Sequence, residues 1–160
     1  MVRRLLIAVI ALGAAVPAAA QRSSLGVFGA WGGFREPGRC YAIAEAEGPQ
    51  RSGERAFAAV SWWPARGVRG QLHFRFERPK RPGSAVLLRI DGRTFQLIGG
   101  GGDAWAPDAR ADAEIVAAMR TGIDMSVETR SGIGGLVRDS YRLRGAASAI
   151  DAAAIGCARG

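Results

Sequence analysis

Cys40 and Cys157 are the only cysteines in the 160-residue chain, and they stand 117 positions apart, the second three residues from the end. If they are joined, any fold of this chain must carry its last segment back to one of its first strands. Whether they are joined depends on the compartment, and the chain start addresses that. Met1-Val2-Arg3-Arg4 is basic, Leu5 to Val16 is apolar, and Pro17-Ala18-Ala19-Ala20 precedes Gln21. This order is that of a signal peptide, with a basic lead, an apolar centre and an Ala-x-Ala site. Cleavage after Ala20 is predicted, leaving residues 21–160 as a single domain in the periplasm or outside the cell. The apolar run, about 12 residues, is short of the ~20 that span a membrane, so no transmembrane anchor is expected in the mature form. In an oxidising compartment two cysteines read most simply as one disulfide. A zinc site wants four nitrogen or sulfur ligands, and no Cys-x-x-Cys pair occurs.

Between the cysteines the apolar residues recur mainly with period two, the mark of strands with one dry face. Leu25 to Trp31 reads as a first strand, with a turn at Arg35 to Gly38, and Arg39 to Glu45 as a second. Gly48 to Gly53 is loop-like. Glu54 to Trp63 carries apolar residues on both alternating sets, which predicts a central strand covered on both faces. Leu72, Phe74 and Phe76 alternate with His73, Arg75 and Glu77. Asp91-Gly92 between Ala85–Ile90 and Thr94–Ile98 is a tight-hairpin signal. Gly99 to Gly102 reads as a flexible connector into the one full helix, about 107–121, which has Pro107, Asp108 and Asp112 near its start and Gly122 as its stop. Met125 to Arg130 and Val137 to Arg144 are the closing strands, and Ser148 to Gly156 is a short Ala-rich helical turn. The count of about eight strands with turn residues at regular spacing predicts an all-β antiparallel sandwich.

No catalytic constellation stands out in the sequence, so a non-enzymatic protein is expected. His73 is the sole histidine, and neither Gly-x-Ser-x-Gly nor Ser-x-x-Lys accompanies it. The four glycines match no phosphate-binding pattern, and Asp103, Asp108 and Asp112 lack calcium-loop spacing. No cofactor and no metal are predicted. An envelope hydrolase or inhibitor using the 99–103 loop and His73 stands as the alternative. Formal net charge is +8, falling to about +6 without Arg3 and Arg4, which favours attraction to polyanions. Arg66, Arg69, Arg75, Arg78, Lys80 and Arg81 form a candidate anion-binding surface. Phe74 and Phe76 fall on the dry face and cannot stack on bases, so nucleic acid is not expected as the normal ligand. Trp62 and Trp63, adjacent on one strand, point to opposite faces and are candidate interaction aromatics.

Phe28-Gly29-Ala30-Trp31, followed by Arg39-Cys40-Tyr41-Ala42-Ile43 and closed by Tyr141-Arg142-Leu143-Arg144-Gly145-Ala146, resembles the invasion-associated locus B family of exported alphaproteobacterial proteins. The resemblance implies an immunoglobulin-like sandwich, a periplasmic or secreted location and no known enzymatic activity. The expected role is therefore a non-catalytic binding module of the cell envelope, recognising a protein or an anionic envelope component.

Overall fold

The computed structural model describes residues 21–49 and 55–158. The predicted signal peptide, 1–20, and most of the loop around 48–53 lie outside the described residues. Ten strands and two helices follow one another as β1 (Ser23–Phe28), β2 (Trp31–Glu36), β3 (Arg39–Glu45), β4 (Phe57–Trp63), β5 (Val68–Arg75), β6 (Val86–Ile90), β7 (Arg93–Gly100), β8 (Asp103–Trp105), α1 (Ala109–Thr121), β9 (Asp124–Arg130), β10 (Leu136–Arg142) and α2 (Ala146–Ala158). Every pairing is antiparallel, and the strands join edge to edge in the order β1-β2-β3-β4-β5-β8-β7-β6-β9-β10. The all-β, sandwich-like class is therefore as expected, with the meander β6–β7–β8 laid between β5 and β9 in reverse order. The sheet bends over its own core, and opposite walls meet at the rings of Phe74 on β5 and Tyr141 on β10, 5.8 Å apart.

Three expectations are corrected. Leu25 to Trp31 is not one strand. Gly29, at φ +60°, opens a two-residue turn after which Trp31 pairs back with Phe28, and positive φ at the first turn position is the geometry a tight hairpin takes from glycine. The glycines 99–102 do not lead into a helix either. Gly99 and Gly100 belong to β7, Gly101 and Gly102 make the turn, and Asp103 pairs with Gly100 to begin β8. Both turn carbonyls are used, since Phe76 N–H donates to Gly102 O and Lys80 N–H to Gly101 O, each at 2.8 Å. The tail, finally, is a 13-residue helix that runs through Gly156. Gly156 is a packing position rather than a stop, because a Cβ there would lie 2.7 Å from Leu25 Cδ1.

The predicted central helix holds as α1. Asp108 is its N-cap, accepting from Ala111 N–H at 2.8 Å, and Gly122 follows its end. Ile115, Ala118 and Met119 are buried, as the stripe at i+4, i+7 and i+8 from Ala111 requires. The Asp91-Gly92 turn also forms where expected, joining Ile90 to Arg93.

α2 lies across β1 to β4. Small residues let it approach, with Gly33 facing the Ala149 carbonyl and the Ala152 methyl, while Ala146, Ala149, Ile150 and Ala153 are buried. The Cys40–Cys157 disulfide is formed and fastens the last turn of α2 to β3. Trp31 is fully buried nearby and donates its Nε1–H to Arg142 O at 2.8 Å, tying β2 to the end of β10. Among the described residues no helix is long and apolar enough to cross a membrane.

Candidate functional site

β4 has two faces with different neighbours. Ala58 and Val60 point into the main core, whereas Tyr41, Ala59 and Ser61 are buried without belonging to it. They lie on the outer face of β2–β5 and β8, where, among the described residues, no helix and no second wall packs. Strand register arranges that face in rows. One runs Phe34–Tyr41–Ser61–Gln71, the next Ile43–Ala59–His73–Trp105, and a third Phe57–Arg75–Asp103. The small Ala59 and Ser61 are thus a floor, and the larger cross-strand neighbours bury it from the sides. The expectation that β4 is covered on both faces holds for its middle residues, but on this side the cover is the sheet's own aromatic rings.

Cations ride on those rings. Arg39 lies over Tyr41 at 4.3 Å and over Trp63 at 5.1 Å, Arg66 over Trp63 at 5.3 Å, and Arg22 over Phe34 at 5.0 Å from the ring centroids. A guanidinium against an aromatic face gains about 0.5–1 kcal/mol at exposed sites. Glu36 accepts from both Tyr41 Oη–H at 2.7 Å and Arg39 at 2.8 Å. The Tyr41 hydrogen bond holds the Glu36 carboxyl below its usual range, with Arg39 adding to it against the cost of burial. Burial, then the Glu36 contact, pushes the Tyr41 hydroxyl up.

At the other end of the face, His73 Nε2 and Asp103 Oδ1 are 2.7 Å apart, and Arg75 Nε donates to the same oxygen at 2.8 Å. The His73 ring stacks on Trp105 at 5.3 Å and meets the edge of Phe57 at 5.2 Å. The 99–103 loop and His73 do converge, through Asp103. Among the described residues the hydrogen bond to Asp103 is the only one the His73 side chain makes, and no described hydroxyl or thiol is bonded to it. Among the described residues no cluster of three His, Cys, Asp or Glu side chains suits a metal ion.

The six candidate cations do not make one surface. Arg66 joins the aromatic face through Trp63, and Arg75 sits on that face with its charge engaged by Asp103. Arg69 is turned to the opposite side, pairing with Trp62 across a register shift in β4–β5. Arg78 lines a cavity of about 290 Å³ with Glu47, Glu77, Arg138 and Asp139. Lys80 and Arg81 lie in the β5–β6 connection beside Ser131 and Arg130. Trp62 and Trp63 do face opposite ways, Trp62 toward Cys157 and Trp63 toward Arg39 and Arg66. Residues that sequence reasoning passed over include Arg22, Arg39 and Asp139. Asp139 is 5% exposed, and burial raises its carboxyl to about 6, opposed by the Glu77 backbone N–H and reinforced by the Glu77 charge. The alternation that turns Val137, Tyr141 and Leu143 inward is the signal that could have found it.

Compared with protein-family models, with curated proteins and with solved structures, the chain has no match in any of the three.

Proposed function

We propose that this protein is a non-catalytic binding module of the cell envelope, exported with residues 1–20 removed and related to the invasion-associated locus B proteins, and that its outer aromatic face takes an anionic envelope surface. One observation carries the reading. Arg22, Arg39 and Arg66 stand on aromatic rings over a sheet face that no other described element covers, which presents charge and flat apolar area together. The formed disulfide supports an oxidising location. The test is retention on vesicles of anionic phospholipid or on lipopolysaccharide, over a range of salt. An arginine near an anionic membrane surface is worth about 1 kcal/mol, so the double variant Arg22→Ser/Arg66→Ser should bind about thirtyfold more weakly at low salt. Wild-type binding should fade as salt screens the charges. Equal, salt-independent retention of both proteins refutes the reading.

A second reading, a hydrolase or inhibitor built on His73 and the 99–103 loop, is favoured by the 2.7 Å approach of His73 to Asp103. It requires an envelope ester or amide whose turnover is lost in His73→Ala. Turnover unchanged in that variant removes it.

A further inference from the structure

The reverse side of β4 carries a different kind of site. Trp62, Pro64, Val68, Arg69, Ala154, Cys157 and Ala158 line an open cleft of about 410 Å³ beside the disulfide, within the ~300–1,000 Å³ usual for small-molecule sites. Among the described residues its lining carries one charge on otherwise uncharged, mainly apolar side chains. Arg69 is that charge, and the backbone is specially arranged to put it there. The β4–β5 register shifts after Ser61, so that Trp62 pairs with Arg69 while Ser61 pairs with Gln71. The residue passed over is Gly70, at φ +75°. An extra residue in one strand reverses which face the neighbouring side chains take, and a positive φ there favours glycine. Without the bulge Arg69 would alternate with Leu72 and Phe74 onto the outer face. With it, Arg69 shares the side of Trp62 and Cys157.

That guanidinium has no hydrogen bond, ion pair or ring contact among the described residues. Among the described residues lining the cleft and the neighbouring cavity, which Arg69 and Val68 also line, the carboxylates are Asp108 and Asp112, and both are occupied. Asp112 Oδ1 accepts from Leu72 N–H and Asp108 Oδ1 from Ala111 N–H, each at 2.8 Å. Their negative charge keeps an anion on the Trp62 side of Arg69. A lone fork of donors at the rim of an apolar cleft complements a monoanion with a hydrocarbon body, since a guanidinium pairs a carboxylate through two parallel hydrogen bonds.

We propose that this cleft binds an anionic amphiphile of the fatty-acid type, its alkyl chain against Trp62, Pro64, Val68 and Ala154 and its carboxylate on Arg69. The site is independent of the outer face, from which β4 separates it. Sodium dodecanoate below its micellar range is the probe, titrated by calorimetry and by tryptophan fluorescence. Dodecyl phosphate, dodecyltrimethylammonium and dodecyl maltoside are the comparison arms. Saturable binding of one dodecanoate is expected, tighter than each comparison compound. Arg69→Gln, an exposed and unpartnered position, should weaken dodecanoate at least tenfold, the equivalent of one charge-assisted hydrogen bond, and leave dodecyl maltoside unchanged. Arg22→Ser/Arg66→Ser should leave dodecanoate unchanged, which separates this site from the vesicle-binding face. No saturable dodecanoate binding, equal binding of the cationic amphiphile, an Arg69→Gln variant of unaltered affinity, or dodecyl phosphate binding as tightly as dodecanoate would each overturn the assignment.

Discussion

Reducing the Cys40–Cys157 bond should lower stability throughout the domain rather than loosen its tail. The loop it closes holds 117 residues, for which the chain-entropy relation gives about 16 cal/mol/K, or about 4.9 kcal/mol at 25 °C. The reduced native state keeps most of what seats α2, since Ala146, Ala149, Ile150 and Ala153 stay buried and Arg120 still pairs with Asp151. The gain therefore goes to the unfolded chain. With an unfolding entropy of about 2.1 cal/mol/K per residue over the 21–160 domain, the loss corresponds to a fall in Tm of about 17 °C. Circular-dichroism melts of oxidised and reduced wild type at one pH measure it. Cys40→Ala/Cys157→Ala should melt lower again by a few degrees, because Cys40 is fully buried and its sulfur leaves a small void. Guanidinium titration should show a larger m-value on reduction, since an unbridged chain exposes more surface. A Tm fall under about 5 °C with unchanged m, or loss of amide protection confined to α2, would refute the reasoning.

Three further outcomes are expected. Asp139 should make stability fall as pH rises from about 4 to about 6, because its folded carboxyl titrates near 6 against 3.8 unperturbed and the folded state binds the extra proton in that window; Asp139→Asn should flatten this slope, removing of order 1–3 kcal/mol of pH dependence in urea titrations, and an unchanged slope refutes it. Gly145→Ala should cost more than about 4 kcal/mol or prevent folding, because the position is at φ +92° and a Cβ there would lie 1.7 Å from Phe28 O; Gly38→Ala, at φ +76° in open space, should cost only about 1–2 kcal/mol. Tyr141→Phe should be neutral or stabilising by up to about 1 kcal/mol, because the buried hydroxyl has no hydrogen-bond partner among the described residues, and a loss above about 2 kcal/mol in the same urea assay contradicts it.

Much of the fold was legible because period-two alternation and turn chemistry are local. Met125, Val127 and Thr129 are buried as their spacing requires, Asp91-Gly92 turns where such pairs turn, and the Cys40–Cys157 bond forms as two cysteines in a chain read as exported suggest. The misreadings come from glycine. Gly29, Gly101 and Gly156 serve as a hairpin turn, a second hairpin turn and a helix contact point, and nothing local distinguishes these from a strand bend, a linker and a helix stop. The candidate site was less legible for a related reason. Arg66, Arg69, Arg75, Arg78, Lys80 and Arg81 are neighbours in sequence, but a strand that bulges and then leaves the sheet scatters its side chains, while Arg22 and Arg39 reach the same aromatic face from distant positions.

The bulge at Gly70 also explains how one short strand can serve two surfaces. In a regular β5, the side chains before Leu72 would continue the alternation, and Arg69 would add a further cation to a face already holding Arg39 and Arg66. Like charges gathered there would weaken each ring-stacked pair, and the Trp62 cleft would be left wholly apolar. Shifting the register by one residue moves the charge through the sheet without altering composition. Trp62 and Trp63, which must point to opposite faces of β4, then each acquire an arginine, Arg69 on one side and Arg66 on the other. If that division is what the bulge is for, Gly70→Ala should uncouple the two surfaces unequally. The added Cβ finds only Trp62 Cζ2, at 3.9 Å, so the domain should still fold, with about 1–2 kcal/mol of strain at φ +75°. Dodecanoate binding in the cleft should weaken as Arg69 is released from its position, and vesicle retention by the outer face should persist. Weakening of both together would show that the bulge supports the sheet as a whole and does not sort its charges.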